Sequence, residues 1–183
     1  AQALDLEAIA RHRGSVIGAL PGTEQPTQKY FDSLLVQKLS GFDPARPVWV
    51  EAETKKIGNV RLPNGLLDTM HAGARLLGID APMEQGVILW REDYRHFEED
   101  PEAFVGKLTH LRALVGNAEV TLWEEVARDR RMPELFERIM RVHYDPAYTR
   151  STRRHYAELE KAPLISLPGL SPEALRVAAM DLL

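Results

Sequence analysis

The sequence predicts an α/β protein in which a parallel sheet with crossover helices is joined to a helical subdomain. In the first half of the chain, short apolar runs alternate with helical patterns, which is the order that builds a parallel sheet. From about Tyr94 the pattern changes to one helix after another, until a last strand-like run and a last helix. We therefore expect an α/β core at 1–93, a helical subdomain at 94–160, and a returning strand and helix of the core at 161–183.

Each element of the predicted core has its own signal in the sequence. QALDLE is short and mostly apolar, as in a buried strand, and TQKYFDSLLVQKL places its apolar residues on one helical face behind the N-cap residue Thr27. After the turn FDPARP, the continuous apolar run PVWVE predicts a strand covered on both faces. LPNGLLDTMH predicts a loop and a helix, ARLLGI a strand, and PMEQGVILWREDYRHF a helix with Pro82 near its first turn.

Three apolar stripes predict the helices of the subdomain. They consist of Phe104, Val105, Leu108, Leu111 and Val115; of Val120, Trp123, Val126 and Ala127; and of Leu135, Phe136, Ile139 and Met140. PLISL then predicts a strand, and SPEALRVAAMDLL predicts a helix that Ser171 caps and Pro172 opens.

The composition excludes several functional classes. The 183 residues are 44% hydrophobic and 27% charged, which is ordinary for a globular protein. No apolar run reaches the roughly 18–20 residues of a membrane span, and the N-terminus has no signal-peptide pattern. The chain has no cysteine, which excludes disulfides and thiol or persulfide chemistry carried by its own residues, and its six histidines are too scattered for a structural zinc site. We expect a cytoplasmic protein without a membrane partner.

The charge is unevenly distributed along the chain. The net charge is −4, which argues against extensive coating of nucleic acid, yet nine Lys and Arg stand against six Asp and Glu between Arg128 and Lys161. A local positive patch can bind phosphates while the rest of the protein stays acidic. The alternative is that these charges belong to ordinary solvated helix faces.

Polar segments follow the first two predicted strands. Because the carboxyl ends of parallel strands meet at one edge of a sheet, we expect RHRGS and EAETKKIG to lie at the same edge. Arg11, His12 and Arg13 offer donors for an anion there, and Gly14 lets backbone amides approach it closely.

Two carboxylates come directly after the second predicted strand. Glu51 and Glu53 alternate along an extended segment, so they point to opposite faces and at most one faces a ligand at close range. An acidic residue after an apolar strand is also where phosphate-binding α/β proteins hold Mg²⁺, and Glu53 is the candidate ligand. The alternative is an ordinary ion pair between the basic turn and a strand-end carboxylate.

Four motifs occur in the order and approximate spacing of one enzyme family. DLEAIARHRGSVIG, QPTQKYFDSLL, VWVEAETKKIGNVRLP and HYDPAY, between Asp5 and Tyr148, resemble the bacterial tRNA 2-selenouridine synthases. In that family a rhodanese-like domain with a catalytic cysteine precedes a P-loop domain. The resemblance implies a P-loop-NTPase-like sheet and a transferase that acts on wobble 2-thiouridine of tRNA. Geranyl diphosphate first S-geranylates the thiouridine, and selenophosphate-dependent replacement then yields 2-selenouridine.

The chain departs from the family pattern at several points. It contains no G-x-x-x-x-G-K-[ST] loop and no cysteine, and Thr54 stands where the family usually has Ser. We therefore expect the C-terminal portion of such an enzyme, without full activity of its own. The competing hypothesis is a non-catalytic tRNA- or nucleotide-binding module derived from a P-loop domain. No cofactor is firmly implied, and Mg²⁺ is the one candidate.

The resemblance and the chemistry of the side chains together give the candidate site residues. The catalytic candidates are His12, Arg13, Glu51 and Glu53, and Glu53 is also the metal candidate. The diphosphate candidates are Arg13, Gly14, Ser15 and Gln28. The candidates for binding the tRNA anticodon loop are Arg130, Arg131, Arg138, Tyr144 and Tyr148.

Each role follows from a property of the side chain. The guanidinium of Arg13 can fork onto two phosphate oxygens, and His12 can donate a hydrogen bond or carry a proton. Tyr144 and Tyr148 are four residues apart and can stack on an unpaired base, or they pack the end of the helical subdomain. Phe31 is expected in the core because it lies on an apolar stripe.

Overall fold

Two parallel strands begin the fold at the places that the alternating pattern predicts. The computed structural model describes residues 1–156, 158–180 and 182. In it β1 (Gln2–Leu4) pairs in parallel with β2 (Val48–Val50), and Leu4 lies opposite Val50. Two helical segments, Leu6–Ala10 and Gln28–Ser40, lie between the strands, so the predicted strand–helix–strand order is confirmed with one additional short helix, and both strands end at the same edge.

The expectation that β2 is covered on both faces is wrong. Val48 and Trp49 are 37% and 38% exposed, and Val50 is only partly buried. Within the described part of the chain, β2 pairs with β1 alone. The sequence of β2 is apolar throughout, yet part of its apolar surface stays exposed in the described structure.

The internal contacts divide the chain into two units, Ala1–Ala74 and Arg75–Leu183. Besides β1 and β2, the first unit contains helices and an antiparallel hairpin of two short strands. These elements are α1 (Leu6–Ala10), α2 (Gln28–Ser40), β3 (Lys56–Ile57), β4 (Val60–Arg61) and α3 (Asn64–Gly73).

Capping residues and one apolar cluster hold the first unit together. The carboxylate of Asp5 accepts the amide of Ala8 at 2.8 Å at the start of α1, and the Thr27 hydroxyl accepts the amide of Tyr30 at 3.3 Å at the start of α2. Phe31 is fully buried, as predicted. The buried cluster around it consists of Leu4, Leu6, Ala10, Leu35, Ile57, Val60, Leu62, Leu67 and Met70.

The second unit is mainly helical. Its strands β5 (Gly78–Asp80) and β6 (Leu164–Ser166) pair in parallel. Its helices are α4 (Met83–Asp93), α5 (Arg95–Glu99), α6 (Pro101–Leu108), α7 (Arg112–Val115), α8 (Asn117–Arg128), α9 (Met132–Ile139), α10 (Asp145–His155) and α11 (Pro172–Met180). A π-helical turn, Met140–Tyr144, lies between α9 and α10.

The predicted apolar stripes form the core of this unit. All members of the second and third stripes are buried, and in the first stripe only Val105 and Val115 are partly exposed. The amide of Ala174 donates to the Ser171 hydroxyl at 3.2 Å, so the predicted cap of the last helix is confirmed. Asp181 and Leu183, at the end of the predicted helix, lie outside the described residues.

The parallel strands do not form one continuous sheet among the described residues. β1 pairs with β2 in the first unit, whereas β6 pairs with β5 in the second unit, so these strands form separate two-stranded ladders. The contacts divide the chain between Ala74 and Arg75, and α4 packs on α9 within the second unit; the domain bounds at 93/94 and 160/161 stay a prediction. A mixed α/β fold with small parallel sheets and many helices is the result.

In the described part of the chain, no helix combines the length and the apolar character that crossing a membrane requires.

Candidate functional site

The two strand ends meet through Glu51. This residue follows β2, and its Oε1 accepts the backbone amides of Leu6 and, at 2.9 Å, Glu7. Both amides belong to the first turn of α1, where no carbonyl of the helix is available to accept them. Glu51 therefore joins the end of β2 to the start of α1, which is a structural role.

Glu53 forms a carboxyl pair with Glu7 of α1. The two side chains hydrogen-bond to each other. Burial of the pair, and next the charge of Glu53, raise the pKa of Glu7 from 4.5 to about 7, and burial also raises the pKa of Glu53. Below about pH 7 one proton is thus shared by the two carboxyl groups. Sequence reasoning missed Glu7, because its spacing from Glu53 has no recognisable pattern.

Gly14 packs directly against this pair. Its φ of +68° favours glycine, and a Cβ atom at this position would lie 2.7 Å from Oε1 of Glu53 and 3.2 Å from Oε1 of Glu7. Gly14 thus allows the backbone to approach a carboxylate, whereas the sequence predicted an approach to a phosphate.

The basic turn is closed by its own hydrogen bonds. α1 ends at Arg11 in the left-handed conformation, with φ of 52°. The amide of Gly14 then donates to Nδ1 of the buried His12 at 3.1 Å, and the amide of Ser15 donates to the carbonyl of Arg13 at 2.7 Å. In this conformation the two amides predicted to hold a diphosphate stabilise the turn, and diphosphate binding by them remains a prediction.

Two glutamines of the second motif hold the β3–β4 hairpin. The side-chain nitrogen of Gln28 donates to the backbone carbonyl of Arg61 at 2.9 Å. The side-chain oxygen of Gln28 accepts a hydrogen bond from the backbone amide of Arg61 at 2.8 Å. Gln25 donates to the carbonyls of Ala10 and Ile57. Gln28, predicted to contact a phosphate, is therefore engaged with the backbone of β4.

The turn, the loop before α2 and the hairpin enclose an open cleft of about 710 Å³. Three of the predicted residues, His12, Gly14 and Ser15, line it. Arg13, Gln28 and both Glu51 and Glu53 are not among its lining residues. The structure thus brings together only part of the predicted site. The cleft lies between the first three motifs of the family resemblance.

The cleft has cationic and apolar parts. Arg11 and Lys56 supply its positive charge against one acidic residue, Glu24. Val16 and Leu20 supply apolar surface. Sequence reasoning had noted Arg11 only as one donor of three and had missed Lys56, although Lys56 lies within the third motif, ETKKIG.

A metal ion receives little support from this arrangement. Throughout residues 1–156, 158–180 and 182, no group of three or more His, Asp or Glu side chains is arranged to hold a metal ion. Magnesium is usually held by one or two carboxylates together with water and substrate phosphates, so Glu53 as its ligand stays a prediction.

The arginines predicted to bind tRNA lie near α8 and α9 and have acceptors within the protein. Arg138 contacts both carboxylate oxygens of Glu119, at 2.6 and 2.8 Å, and holds the pKa of Glu119 below its usual range. Arg131 pairs with Glu134 at 2.8 Å. The guanidinium of Arg130 reaches the carbonyl of Glu98 at 3.5 Å. Part of the predicted positive patch is thus neutralised locally.

The two predicted tyrosines stand together in the second unit. The rings of Tyr144 and Tyr148 are nearly parallel, at 9°, with their centroids 6.3 Å apart. Tyr144 lies at the end of the π-helical turn, and Tyr148 lies on α10 and is 49% exposed.

Comparisons with known proteins agree with the motif resemblance. The family model described as the tRNA 2-selenouridine synthase AAA domain matches residues 1–117. This chain is 36% identical over 96 residues to the tRNA 2-selenouridine synthase of Aeromonas salmonicida, a match that covers 52% of this chain and 26% of that relative. It is 40% identical over 94 residues to the protein of the same name from Alcanivorax borkumensis, covering 50% and 25%.

A longer match extends into the second unit. The chain is 32% identical over 162 residues to the tRNA 2-selenouridine synthase of Hahella chejuensis, which covers 81% of this chain and 41% of that relative. The matched regions therefore span between about a quarter and two fifths of the relatives' length. No solved structure matches this chain.

Proposed function

This chain belongs to the tRNA 2-selenouridine synthase family, and from that premise we propose that it is part of a transferase that converts wobble 2-thiouridine of tRNA to 2-selenouridine. The reaction proceeds through S-geranyl-2-thiouridine, with geranyl diphosphate and selenophosphate as the other substrates. The observation that carries the proposal is the cleft, because three of the four family motifs contribute to its lining and because its two cations suit phosphate-containing substrates.

Geranyl diphosphate matches the cleft in charge and in polarity. Transfer of the geranyl group forms a bond between the thiouridine sulfur and C1 of the geranyl group and breaks the bond from C1 to the ester oxygen, so the diphosphate leaves with the electron pair while the N3 proton of the thiouridine passes to solvent. Arg11 and Lys56 would stabilise this developing negative charge. Val16 and Leu20 offer apolar contact to the hydrocarbon chain. Selenophosphate is also an anion, so we assign it to the same two cations.

The tRNA is assigned to the second unit. Its positive excess lies between Arg128 and Lys161, and Arg130, Arg131 and Arg138 stay the proposed phosphate contacts. Exposed ion pairs such as that of Arg131 with Glu134 contribute little stability and can be exchanged for phosphate contacts at small cost.

Calorimetric titration of the chain with geranyl diphosphate tests the donor site. We expect Arg11→Gln and Lys56→Gln each to weaken binding about tenfold, the loss of one charge-assisted contact. Lys29→Gln is the matched control, because Lys29 is an exposed cation of the same unit outside the cleft. Equal affinity in the parent and both cleft variants would contradict the donor site.

The closed turn favours a second candidate function. Since the amides of Gly14 and Ser15 already donate within the turn, the chain also fits a non-catalytic tRNA- or nucleotide-binding module derived from a P-loop domain. Such a module would bind tRNA or a nucleotide but would not distinguish geranyl diphosphate from inorganic diphosphate. The same titration with inorganic diphosphate therefore separates the two functions.

A further inference from the structure

The helix that carries Tyr144 and Tyr148 changes its winding before a proline. α9, the π-helical turn and α10 follow one another along the chain, and Pro146 lies in the first turn of α10. Proline has no amide hydrogen, and its ring collides with the carbonyl four residues earlier, here that of Val142. The wider π-helical turn accommodates this residue, and such turns occur frequently at functional sites.

Three aromatic rings form a series that ends at the surface. Trp90 is buried, and its ring meets that of Tyr144 nearly at a right angle, with centroids 5.1 Å apart and 83° between the planes. Tyr148 lies parallel to Tyr144 and is 49% exposed. The buried tryptophan thus fixes Tyr144, and Tyr148 offers an aromatic ring to solvent on a rigid support.

The helix that carries this exposed ring is basic. α10 carries Arg150, Arg153 and Arg154, and its one acidic residue is Asp145. The three arginines are exposed. Of these, Arg153 meets Glu160 at 3.5 Å in an exposed ion pair, which contributes little to stability. An aromatic ring on a basic helix combines the two features that bind single-stranded nucleic acid.

We propose that Tyr148, supported by Tyr144, is a stacking platform for one unpaired base of RNA, and that the arginines of α10 hold phosphates of the same RNA strand. The proposal rests on the proposed function, for which it specifies where an RNA loop is held. Stacking requires a free face of the base, so the platform selects loop nucleotides over paired ones. An acidic peptide would satisfy the arginines but would leave the tyrosine without a stacking partner.

Fluorescence of a stem–loop RNA with one 2-aminopurine in its loop tests the platform, since stacking on an aromatic ring quenches this base. A blunt duplex with the same stem sequence serves as the paired probe. The variants are Tyr148→Ala, Tyr148→Phe, which keeps the ring, and Tyr148→Leu, which keeps apolar bulk without a ring. Tyr30→Ala is the matched control, because Tyr30 is 51% exposed on a helix of the first unit.

We expect the parent protein to bind the stem–loop more tightly than the duplex and to quench the loop base. Tyr148→Ala and Tyr148→Leu should each lose the quenching and bind the stem–loop about tenfold more weakly. Tyr148→Phe and Tyr30→Ala should behave as the parent does. Circular dichroism of each variant verifies its folding, and the leucine variant decides the question if the alanine variant fails to fold.

Three results would overturn the platform: parent-like quenching and affinity in the leucine variant, equal affinity of the parent for stem–loop and duplex, or equal competition by an acidic peptide of matched charge. None of them alters the calorimetric titration of geranyl diphosphate. Conversely, failure of that titration would remove the proposed donor site and leave the RNA measurement unchanged, so the two proposals fail separately.

Discussion

Glu7 and Glu53 hydrogen-bond to each other behind the turn at Gly14 and share a proton below about pH 7. Two neighbouring carboxylates repel each other when both are charged, so the pair is stable only while one of them is protonated. The fold of the first unit therefore contains a group whose contribution to stability depends on pH.

We expect Glu7→Gln to stabilise the protein at alkaline pH. Folding raises the pKa of Glu7 from 4.5 to about 7, so its contribution to stability is fully present below pH 4.5 and is lost as the pH rises through about 7. Gln donates to Glu53 without titrating, and because the pair is only half-buried we expect a gain of about 1–2 kcal/mol near pH 8.

Urea unfolding of the parent and the variant at several pH values measures this gain. The control is Asp68→Asn, which removes an exposed carboxylate from α3 of the same unit and should leave the pH profile unchanged. A parent profile that is flat between pH 4.5 and 7 would show that Glu7 does not hold its proton.

Gly14→Ala should destabilise the protein more than Gly22→Ala does. Both glycines have positive φ, +68° and +64°, so alanine at either position costs about 1–2 kcal/mol of backbone strain. A Cβ at Gly14 also lies 2.7 Å from Glu53, whereas nothing lies within 4 Å of a Cβ at Gly22. The difference between the two free energies of unfolding isolates the carboxylate contact, and equal losses would disprove it.

Sequence periodicity predicted the elements more accurately than it predicted the roles of the polar residues. α2 and the buried stripes of α8 and α9 follow from spacing, because a one-sided apolar face has few ways to be buried. The apolar run of β2 predicted burial that the two-stranded ladder does not provide.

The candidate site was harder to predict because hydrogen-bond partners depend on long-range folding. Glu51 and Gln28 were expected at a ligand, but each satisfies backbone groups at the end of an element distant in sequence. Lys56 and Glu7 acquire their importance only when the hairpin and α1 are folded against the turn. No local sequence pattern encodes these long-range contacts.

Reversal of Arg130, Arg131 and Arg138 to Glu should weaken tRNA binding and reduce its dependence on salt concentration. With fewer phosphate contacts, tRNA binding releases fewer counterions. The slope of log affinity against log salt concentration should therefore become less steep by about one for each contact that is lost. The control reverses Arg75, Arg95 and Arg176, three exposed arginines of the same unit, and makes the same change in net charge. An equal effect of both triple variants would show that the three arginines are not a specific tRNA contact.

The last prediction separates Arg13 from Arg11. Arg13 was the sequence-based choice for gripping a diphosphate, but Arg11 lines the cleft and Arg13 does not. Atom Nη1 of Arg13 is buried, and its backbone amide donates to the carbonyl of Gly18 at 2.9 Å, within the turn. We expect Arg13→Lys to lower the thermal midpoint, because an ammonium cannot replace a planar guanidinium in a packed position, and to leave the affinity of the folded protein for geranyl diphosphate unchanged. Arg11→Lys should do the reverse, weakening binding severalfold with the midpoint preserved, because Arg11 would contact two phosphate oxygens and lysine only one.

Calorimetry and thermal unfolding of the two variants decide between the residues. If Arg13→Lys loses affinity while its midpoint is preserved, Arg13 is the diphosphate ligand, and the basic turn must open to expose it.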